Sequence, residues 1–137
     1  MSLNNIAEIA QHQQDYRKAA ELFAESLAIR KELGDRFFIV RSLHNLGEVA
    51  CSRQDYERGA TLFGAAEALR EIIGSPLPTE KRESFERYVQ EARDTLGRAD
   101  LQVAWSKGRG MSLDEAIDFA FAPDHVSTRY HPERQKG

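Results

Sequence analysis

Residues 54–63 read QDYERGATLF, and forty residues earlier, residues 14–23 read QDYRKAAELF. The match extends in both directions without a gap, so that residues 3–34 align with residues 43–74. Self-similarity at a fixed period of about 20 to 50 residues is typical of repeat proteins, in which each unit buries its apolar face against its neighbour. The chain is therefore expected to contain two successive copies of one structural unit.

Each copy has the pattern of two helices joined by a short turn. The apolar residues recur every three or four positions, as amphipathic helices require. Asp15 and Asp55 stand where the second helix should begin, because a short side-chain oxygen can accept hydrogen bonds from the free amides of the first turn. Gly34 and Gly74 should end that helix, since glycine enters the left-handed cap conformation without steric cost.

Two glycines inside the predicted helices need a packing reason. Gly47 and Gly59 each cost roughly 1 kcal/mol relative to alanine at a helix interior. Close approach of the two helices beside the large Phe63 would supply that reason. The first copy has alanine at both corresponding positions, so close packing is expected there as well.

The chain after residue 74 departs from the repeat. The prolines in SPLPT, residues 75–79, should break the helix, and Thr79 is expected to cap a new one. The pattern predicts a third hairpin over residues 79–108, in which the segment Gly108-Arg109-Gly110 ends the second helix. The start of the second copy's first helix is expected near residue 36.

The C-terminal part of the chain carries one further helix signal. Ser112 and Glu115 have the spacing of a capping box, which predicts a closing helix over residues 112–122. Residues 123–137 mix charges, prolines and histidines without periodicity and are interpreted as a flexible tail. The repeat domain is thus expected to span residues 1–122.

Composition places the chain among ordinary globular domains. Its 137 residues are 41% hydrophobic and 30% charged, with a net charge of −3. Because nucleic-acid-binding surfaces are usually strongly basic, direct binding of nucleic acid is not expected. The single cysteine, Cys51, fits a reducing compartment, so a cytoplasmic location is expected. No stretch approaches the roughly 18 apolar residues of a membrane span, so no membrane association is expected.

The small and large residues of the repeat resemble the tetratricopeptide repeat. The positions that carry the resemblance are Leu43, Leu46, Gly47, Ala50, Gly59, Phe63 and Ala66. The resemblance implies an all-α fold, a right-handed superhelix of antiparallel helical hairpins with about seven helices. The period of forty residues exceeds the usual period of about 34, which indicates longer helices rather than a different plan.

A more specific resemblance covers nearly the whole chain up to Ala122, and two stretches after residue 61 carry it. The stretch LFGAAEALREIIGSPLPTEKRESFERYVQEARDTLG and the later AWSKGRGMSLDEAIDFA are similar to the C-terminal helical repeats of bacterial LuxR-type and SARP-type regulators that contain an ATPase module. The resemblance implies a regulatory or assembly segment of a larger protein. The abrupt beginning inside a repeat also favours a piece of a longer polypeptide.

The resemblance points to the inner face of the first helices as a partner-binding groove. The polar residues it places on that face are Asn4, Asn5, Glu8, His12, Arg41, His44, Asn45, Glu48 and Ser52. Because Glu8 and Glu48 would repel an acidic segment, a neutral or basic protein or peptide partner is expected. The alternative is a sensor domain whose groove binds a small-molecule or peptide inducer.

No catalytic motif accompanies the groove. The sequence contains no phosphate-binding GxxxxGK[ST] loop, no HExxH, no paired CxxC and no GxSxG motif. The chain is therefore expected not to be an enzyme and to need no cofactor or metal ion. His125 and His131 lack a third spaced ligand, and Cys51 is interpreted as a buried small residue rather than a reactive thiol.

The apolar run at residues 37–40 is too long for one helix face. Phe37, Phe38, Ile39 and Val40 cannot all point into one core. An upstream repeat of a longer protein or a second copy of this chain would cover the remainder. Self-association through Phe37, Phe38 and Val40 is the alternative favoured by the sequence.

Overall fold

A computed structural model of the chain describes residues 3–122. Within this range the backbone forms seven α-helices and no strand. The helices are α1 (Leu3–His12), α2 (Tyr16–Leu33), α3 (Arg36–Ser52), α4 (Tyr56–Ile73), α5 (Thr79–Leu96), α6 (Arg98–Arg109) and α7 (Leu113–Phe121). The prediction of an all-α stack of helical hairpins is confirmed. Residues 123–137, interpreted from the sequence as a tail, lie outside the described residues.

The two copies of the repeat use the same chemistry at the turn between their helices. The side chains of Asp15 and Asp55 each accept a hydrogen bond at 3.3 Å from the backbone N–H three residues later. Both predicted caps are confirmed. Gln14 and Gln54, just before the caps, take positive φ angles of 64° and 68°. The identical turns explain why the QD pair recurs in both copies.

The ends of the second helices are also equivalent. Gly34 and Gly74 stand in the left-handed region at φ angles of 68° and 69°, and both follow directly on the last helical residue. The predicted glycine caps are confirmed. After Gly34, Asp35 caps α3 by accepting from the backbone N–H of Phe38 at 3.3 Å. One loop therefore ends α2 and starts α3.

Close helix packing accounts for the glycines inside the second copy. A β-carbon at Gly47 would lie only 2.8 Å from the ring of Phe63. A β-carbon at Gly59 would overlap the sulfur of Cys51 and lie 3.1 Å from the carbonyl oxygen of Gly47. The predicted packing reason is confirmed. Phe63 is 1% exposed and, together with the equally buried Phe23 of the first copy, lies at the centre of its hairpin.

Beyond the second copy, α6 packs directly against α4. A β-carbon at Gly64 would collide with the backbone carbonyl of Trp105, and one at Gly108 would collide with that of Thr61. These glycines let the two helix backbones touch, and this contact is the most extensive between any two helices of the described residues. The predicted helix end at Gly108-Arg109-Gly110 agrees with the structure, because α6 ends at Arg109 and Gly110 is its cap. Gly108 itself is still helical, and its missing side chain permits the packing on α4.

Helix α5 lies over α3, α4 and α6 and pairs only loosely with α6. The segment predicted as a third hairpin, residues 79–108, thus differs from the first two hairpins. Thr79 is the first helical residue rather than the cap, so that expectation is wrong. Pro78 occupies the cap position at φ −57°, a value close to that of a helix, and no side chain caps the first turn.

Helix α7 returns to the repeats and packs against α2, α3 and α4. The capping box is confirmed: Ser112 Oγ accepts from the N–H of Glu115 at 3.1 Å, and Glu115 Oε1 accepts from the N–H of Ser112 at 2.8 Å. Ala116 and Ile117 are buried in the same core as the repeats. At the other end of α7, the guanidinium of Arg58 donates to the carbonyl oxygen of Ala120 at 2.9 Å.

Candidate functional site

A cavity of about 550 Å³ opens between α1, α3, α5 and the loop after α4. We call it the inner cavity. Its apolar wall includes Phe37, Val40, Ile73 and Leu77, and its polar wall is centred on Glu48. Ligand-binding sites commonly combine an apolar lining with a few convergent polar groups in a volume of about 300 to 1,000 Å³. The inner cavity has both properties.

Glu48 is the centre of a buried polar network that joins three helices. Its carboxylate accepts hydrogen bonds from Gln11 Nε2 of α1 at 3.1 Å and from His44 Nε2 of α3 at 3.2 Å. Lys81 Nζ of α5 lies 3.5 Å from Glu48 Oε1 and donates to Asn45 Oδ1 at 3.2 Å. The Glu48 side chain is 3% exposed, so its charge is neutralised within the protein rather than offered to solvent.

The network shifts the protonation of both of its titratable core members. Burial alone would raise the pKa of Glu48, but the hydrogen bond from His44 and the charge of Lys81 outweigh burial and lower that pKa. Burial lowers the pKa of His44, despite the opposing effect of the Glu48 carboxylate. At neutral pH the network therefore contains an ionised Glu48, a neutral His44 that donates from Nε2, and a charged Lys81.

Two polar atoms beside this network have no hydrogen-bond partner within the described residues. They are Nδ1 of His44 and Nδ2 of Asn45. The two residues are 2% and 0% exposed, so solvent does not readily reach these atoms. A buried polar atom that loses its partner costs about 1 to 3 kcal/mol. The contact between α5 and α3 thus leaves part of the polar surface unsatisfied.

An aromatic cluster lies beside the network and consists of His44, Phe63, Phe85 and Trp105. The rings of Phe63 and Phe85 meet edge to face with centroids 5.1 Å apart. His44 lies 5.1 Å from Phe63 and 5.5 Å from Phe85. Trp105 completes the cluster at 5.9 Å from Phe85. Since these rings belong to four helices, the cluster connects α5 to the rest of the molecule.

The structure brings together six of the nine residues that the sequence placed in the groove. The residues that line the inner cavity are Glu8, His12, Arg41, His44, Asn45 and Glu48. Glu8 and Arg41 form an ion pair at 3.5 Å on the accessible side of the cavity. His44, Asn45 and Glu48 are buried at its floor, because α5 covers this part of α3.

The other three predicted groove residues do not line the inner cavity. Asn4 is 8% exposed and packs within α1 and its neighbours, whereas Asn5 is exposed. Ser52 lies at the far end of α3, where its hydroxyl is 3.2 Å from the hydroxyl of Tyr88 of α5. Ser52 therefore belongs to the contact between α3 and α5.

Sequence reasoning missed the residues that α5 contributes to the inner cavity. Lys81, Ser84 and Tyr88 line it, although α5 was interpreted only as part of a third hairpin. A signal was present: Phe85, Tyr88 and Val89, with Ala92, repeat at helical spacing within an otherwise charged segment. That apolar stripe indicates that one face of α5 packs against the rest of the molecule. Which helices it packs against could not be predicted without the tertiary structure.

The apolar run at the start of α3 is divided between core and surface. Val40 is 3% exposed and Ile39 is 1% exposed, so both lie in the core. Phe38 is half-buried beneath the guanidinium of Arg30, which lies 4.4 Å from the ring centroid. Phe37 is 49% exposed. The structure therefore restricts the predicted self-association patch to Phe37 and the accessible edge of Phe38.

Two further features bear on what the molecule can do chemically. Cys51 is 1% exposed, and burial raises the pKa of its thiol, so its interpretation as a buried structural residue is confirmed. Over residues 3–122, no helix is long and apolar enough to cross a membrane. In the same range, no group of three His, Cys, Asp or Glu side chains could hold a metal ion. His125 and His131 lie outside the described residues.

Comparison with known proteins bears on the fold and on its general role. The family model described as tetratricopeptide repeat matches residues 1–72, which is more than half of the 137-residue chain. No curated protein and no solved structure matched the chain. Tetratricopeptide repeats generally mediate protein–protein interactions, and domains built from them are typically non-catalytic. Together with the paired hairpins of α1 to α4, the match shows that this chain belongs to the tetratricopeptide repeat family.

Proposed function

We propose that the chain is a non-catalytic interaction and regulatory segment of a multidomain bacterial transcriptional regulator or signalling ATPase, and that it acts in the cytoplasm. Membership of the tetratricopeptide repeat family supports the interaction role. The similarity of residues 62–97 and 104–120 to the C-terminal repeats of LuxR-type and SARP-type regulators supports the parent protein. Any ATPase or DNA-binding activity of that parent would lie outside this chain.

The inner cavity is the observation that carries the proposal. It lies on the face that the family uses for partners, and its 550 Å³ can hold one or two side chains of a bound segment. Phe37 and Leu77 would contact apolar parts of that segment. Glu80 lies among the accessible lining residues and favours a neutral or basic segment, whereas the charge of Glu8 is shared with Arg41 at 3.5 Å and contributes less. Glu48 does not contribute to this preference, since Lys81 and His44 already engage its charge.

A charge-reversal experiment tests the proposal. The variant Glu8→Lys should reduce the amount of specifically captured protein from a bacterial lysate by about tenfold or more, as measured by quantitative mass spectrometry. The matched control is Glu25→Lys on the exposed side of α2, which makes the same change of charge away from the cavity. Equal capture by wild type and both variants would contradict the proposal.

A sensor domain for a small-molecule inducer is the second candidate. The observation in its favour is that α5 and the loop at residues 75–78 partly enclose the inner cavity, since small-molecule sites bury most of their ligand. A thermal-shift screen of bacterial metabolites should then find a compound that raises the melting temperature in a concentration-dependent manner. Phe37→Ala should abolish that shift, whereas Ile72→Ala, an exposed residue outside the cavity, should not. A shift that survives Phe37→Ala would place the compound elsewhere.

A further inference from the structure

The stack from α4 to α6 is continuous without α5. Gly64 and Gly108 bring the backbones of α4 and α6 into direct contact. Arg109 of α6 strengthens that contact by donating to Glu67 at 2.7 Å and to Glu71 at 2.8 Å on α4. Helix α5 is therefore not needed as a layer between α4 and α6, although it precedes α6 in the chain.

Helix α5 itself is attached by few buried groups. Of its eighteen residues only Ala92 is buried. Its contacts with α3 are those of Lys81 with Glu48 and Asn45, of the Phe85 ring with His44 at 5.5 Å, and of the Tyr88 hydroxyl with that of Ser52 at 3.2 Å. Apart from Ala92, the apolar side chains of α5 are only half-buried, and such a helix belongs to the regions that open at lower free-energy cost than the core.

Both ends of α5 have residues that can act as pivots. The preceding segment, residues 75–78, contains two prolines and lacks regular secondary structure. The residue between α5 and α6 is Gly97, at a φ angle of 85° that side chains rarely allow. Short segments of this kind absorb the backbone rotations of hinge motions. Any movement of α5 with α4 and α6 left in place would have to be absorbed by these two segments.

The surface beneath α5 is incompletely satisfied by α5. His44 Nδ1 and Asn45 Nδ2 are buried there without a hydrogen-bond partner within the described residues. Glu48, by contrast, receives the charge of Lys81 at 3.5 Å. Helix α5 thus makes one charge contact with this surface and leaves two polar atoms unpaired. A fully complementary contact would resist replacement by a partner, so incomplete pairing favours a helix that can be exchanged.

We propose that α5 is a displaceable strap, a helix that occupies the inner face of α3 in the free protein and yields its place to the partner. The partner is an amphipathic helix that reproduces the contacts of Lys81 and Phe85 with the inner face. It presents a basic side chain to Glu48 and, four residues later, an aromatic ring to His44 and Phe63, as Lys81 and Phe85 do. This inference rests on the proposed function for the role of the inner face as a partner site.

Hydrogen exchange of the free full-length chain tests the strap without any partner. We expect the amides of α5 to exchange at least about tenfold faster than those of α4 and α6, because α5 opens while the α4 to α6 contact stays closed. Exchange of α5 at the rate of α4 and α6 would overturn the strap. That result would leave the proposed function intact, since a groove beside a fixed α5 can still bind.

A peptide added in trans tests the exchange itself. The probe is a labelled synthetic peptide of residues 79–96, the sequence of α5. In the full-length variant Lys81→Gln, the internal strap loses its contact with Glu48, so the added wild-type peptide should bind about tenfold more tightly than to the wild-type chain. The control Lys31→Gln, an exposed position on α2, should bind the peptide as the wild type does.

Two additional measurements keep the test specific. A peptide that itself carries Lys81→Gln should bind the Lys81→Gln chain no more tightly than it binds the wild-type chain, because this peptide cannot contact Glu48 either. Circular dichroism should show that the variant chain retains the helical content of the wild type, since the strap moves as a helix. Equal affinity of the wild-type peptide for the Lys81→Gln and Lys31→Gln chains would overturn the proposal, whatever is found about a cellular partner.

Discussion

Helices α3 and α5 have nearly the same length and opposite surroundings. Twelve of the seventeen residues of α3 are buried, whereas one of the eighteen residues of α5 is. Helix α3 lies between α2 and α4 and is covered on a third side by α5 and α7. Helix α5 packs on one side only. In this chain, the number of neighbouring helices decides how many residues of a helix are buried more than the apolar periodicity of that helix does.

The polar residues of the two helices follow the same division. Helix α3 buries His44, Asn45 and Glu48, which is costly unless the groups are paired. Helix α5 supplies a cation, Lys81, whose Nζ lies 3.5 Å from the Glu48 carboxylate. The inner cavity is therefore lined jointly by α3, most of whose residues are buried, and by α5, of whose residues one is.

The largest expected effect is the loss of an aromatic ring from the firmly held side. Phe63→Ala should lower the free energy of unfolding by about 3 to 5 kcal/mol, because the buried ring is lost and the surrounding helices relax only partially into the cavity it leaves. Phe85→Ala removes the ring of α5 that contacts Phe63 and should cost less than about 2 kcal/mol, since Phe85 is only partly buried. Urea denaturation of both variants measures the difference. Equal losses would show that α5 is as firmly held as α4.

The direct contact between α4 and α6 should be the next most sensitive to substitution. Gly108→Ala places a β-carbon against the backbone carbonyl of Thr61, which cannot move independently, so a loss of about 3 kcal/mol is expected. Gly110→Ala is the matched control, because its β-carbon would meet nothing closer than 3.6 Å. Gly110→Ala should change the free energy of unfolding by less than about 0.5 kcal/mol. A mild effect of Gly108→Ala would contradict a tight α4 to α6 contact.

Acidification should weaken the network beneath α5. Because burial lowers the pKa of His44 below its ordinary value of 6.5, the unfolded chain takes up a proton before the folded chain does. Stability should therefore fall as pH decreases below about 6.5, by up to about 1.4 kcal/mol per pH unit. The lowered pKa of Glu48 adds a further loss below about pH 4.5, since stability from a depressed carboxyl pKa is lost as the folded group protonates.

The variant His44→Gln identifies the source of that pH dependence. It keeps a hydrogen-bond donor for Glu48 but cannot titrate, so the decline in melting temperature between pH 7 and 5.5 should become shallower. Lys81 of α5, Arg70 of α4 and Glu48 of α3 also act on the protonation of His44 and remain in the variant. An unchanged slope in His44→Gln would assign the pH dependence to groups outside the network.

The smallest expected effect concerns the turn between α1 and α2. Asp15→Ala removes the oxygen that accepts from the N–H of Lys18 at 3.3 Å and should cost about 1 kcal/mol. Asp15→Asn should restore most of that loss, because asparagine caps helices about as well as aspartate. Thermal denaturation followed by circular dichroism resolves the two variants. Equal stability of Asp15→Ala and wild type would show that the cap contributes little to the repeat.

The sequence was most informative where a single local interaction decides the structure. The caps at Asp15 and Asp55, the ends at Gly34 and Gly74 and the capping box at Ser112 all depend on residues a few positions apart. The groove residues on α1 and α3 were inferred from the family plan, and six of them line the inner cavity. The burial of three of them, His44, Asn45 and Glu48, was not foreseen, because it depends on α5, a helix remote in sequence.

By itself, the sequence determined that the chain repeats a helical hairpin, where the helices of the two copies begin and end, and that small residues bring them close. Local hydrogen bonds and steric limits of the backbone suffice for these features. Only the tertiary structure decided that Gly108 joins α6 to α4 and that α5 covers Glu48. Such contacts depend on which distant surfaces fit each other in three dimensions, and neither periodicity nor spacing along the chain specifies that fit.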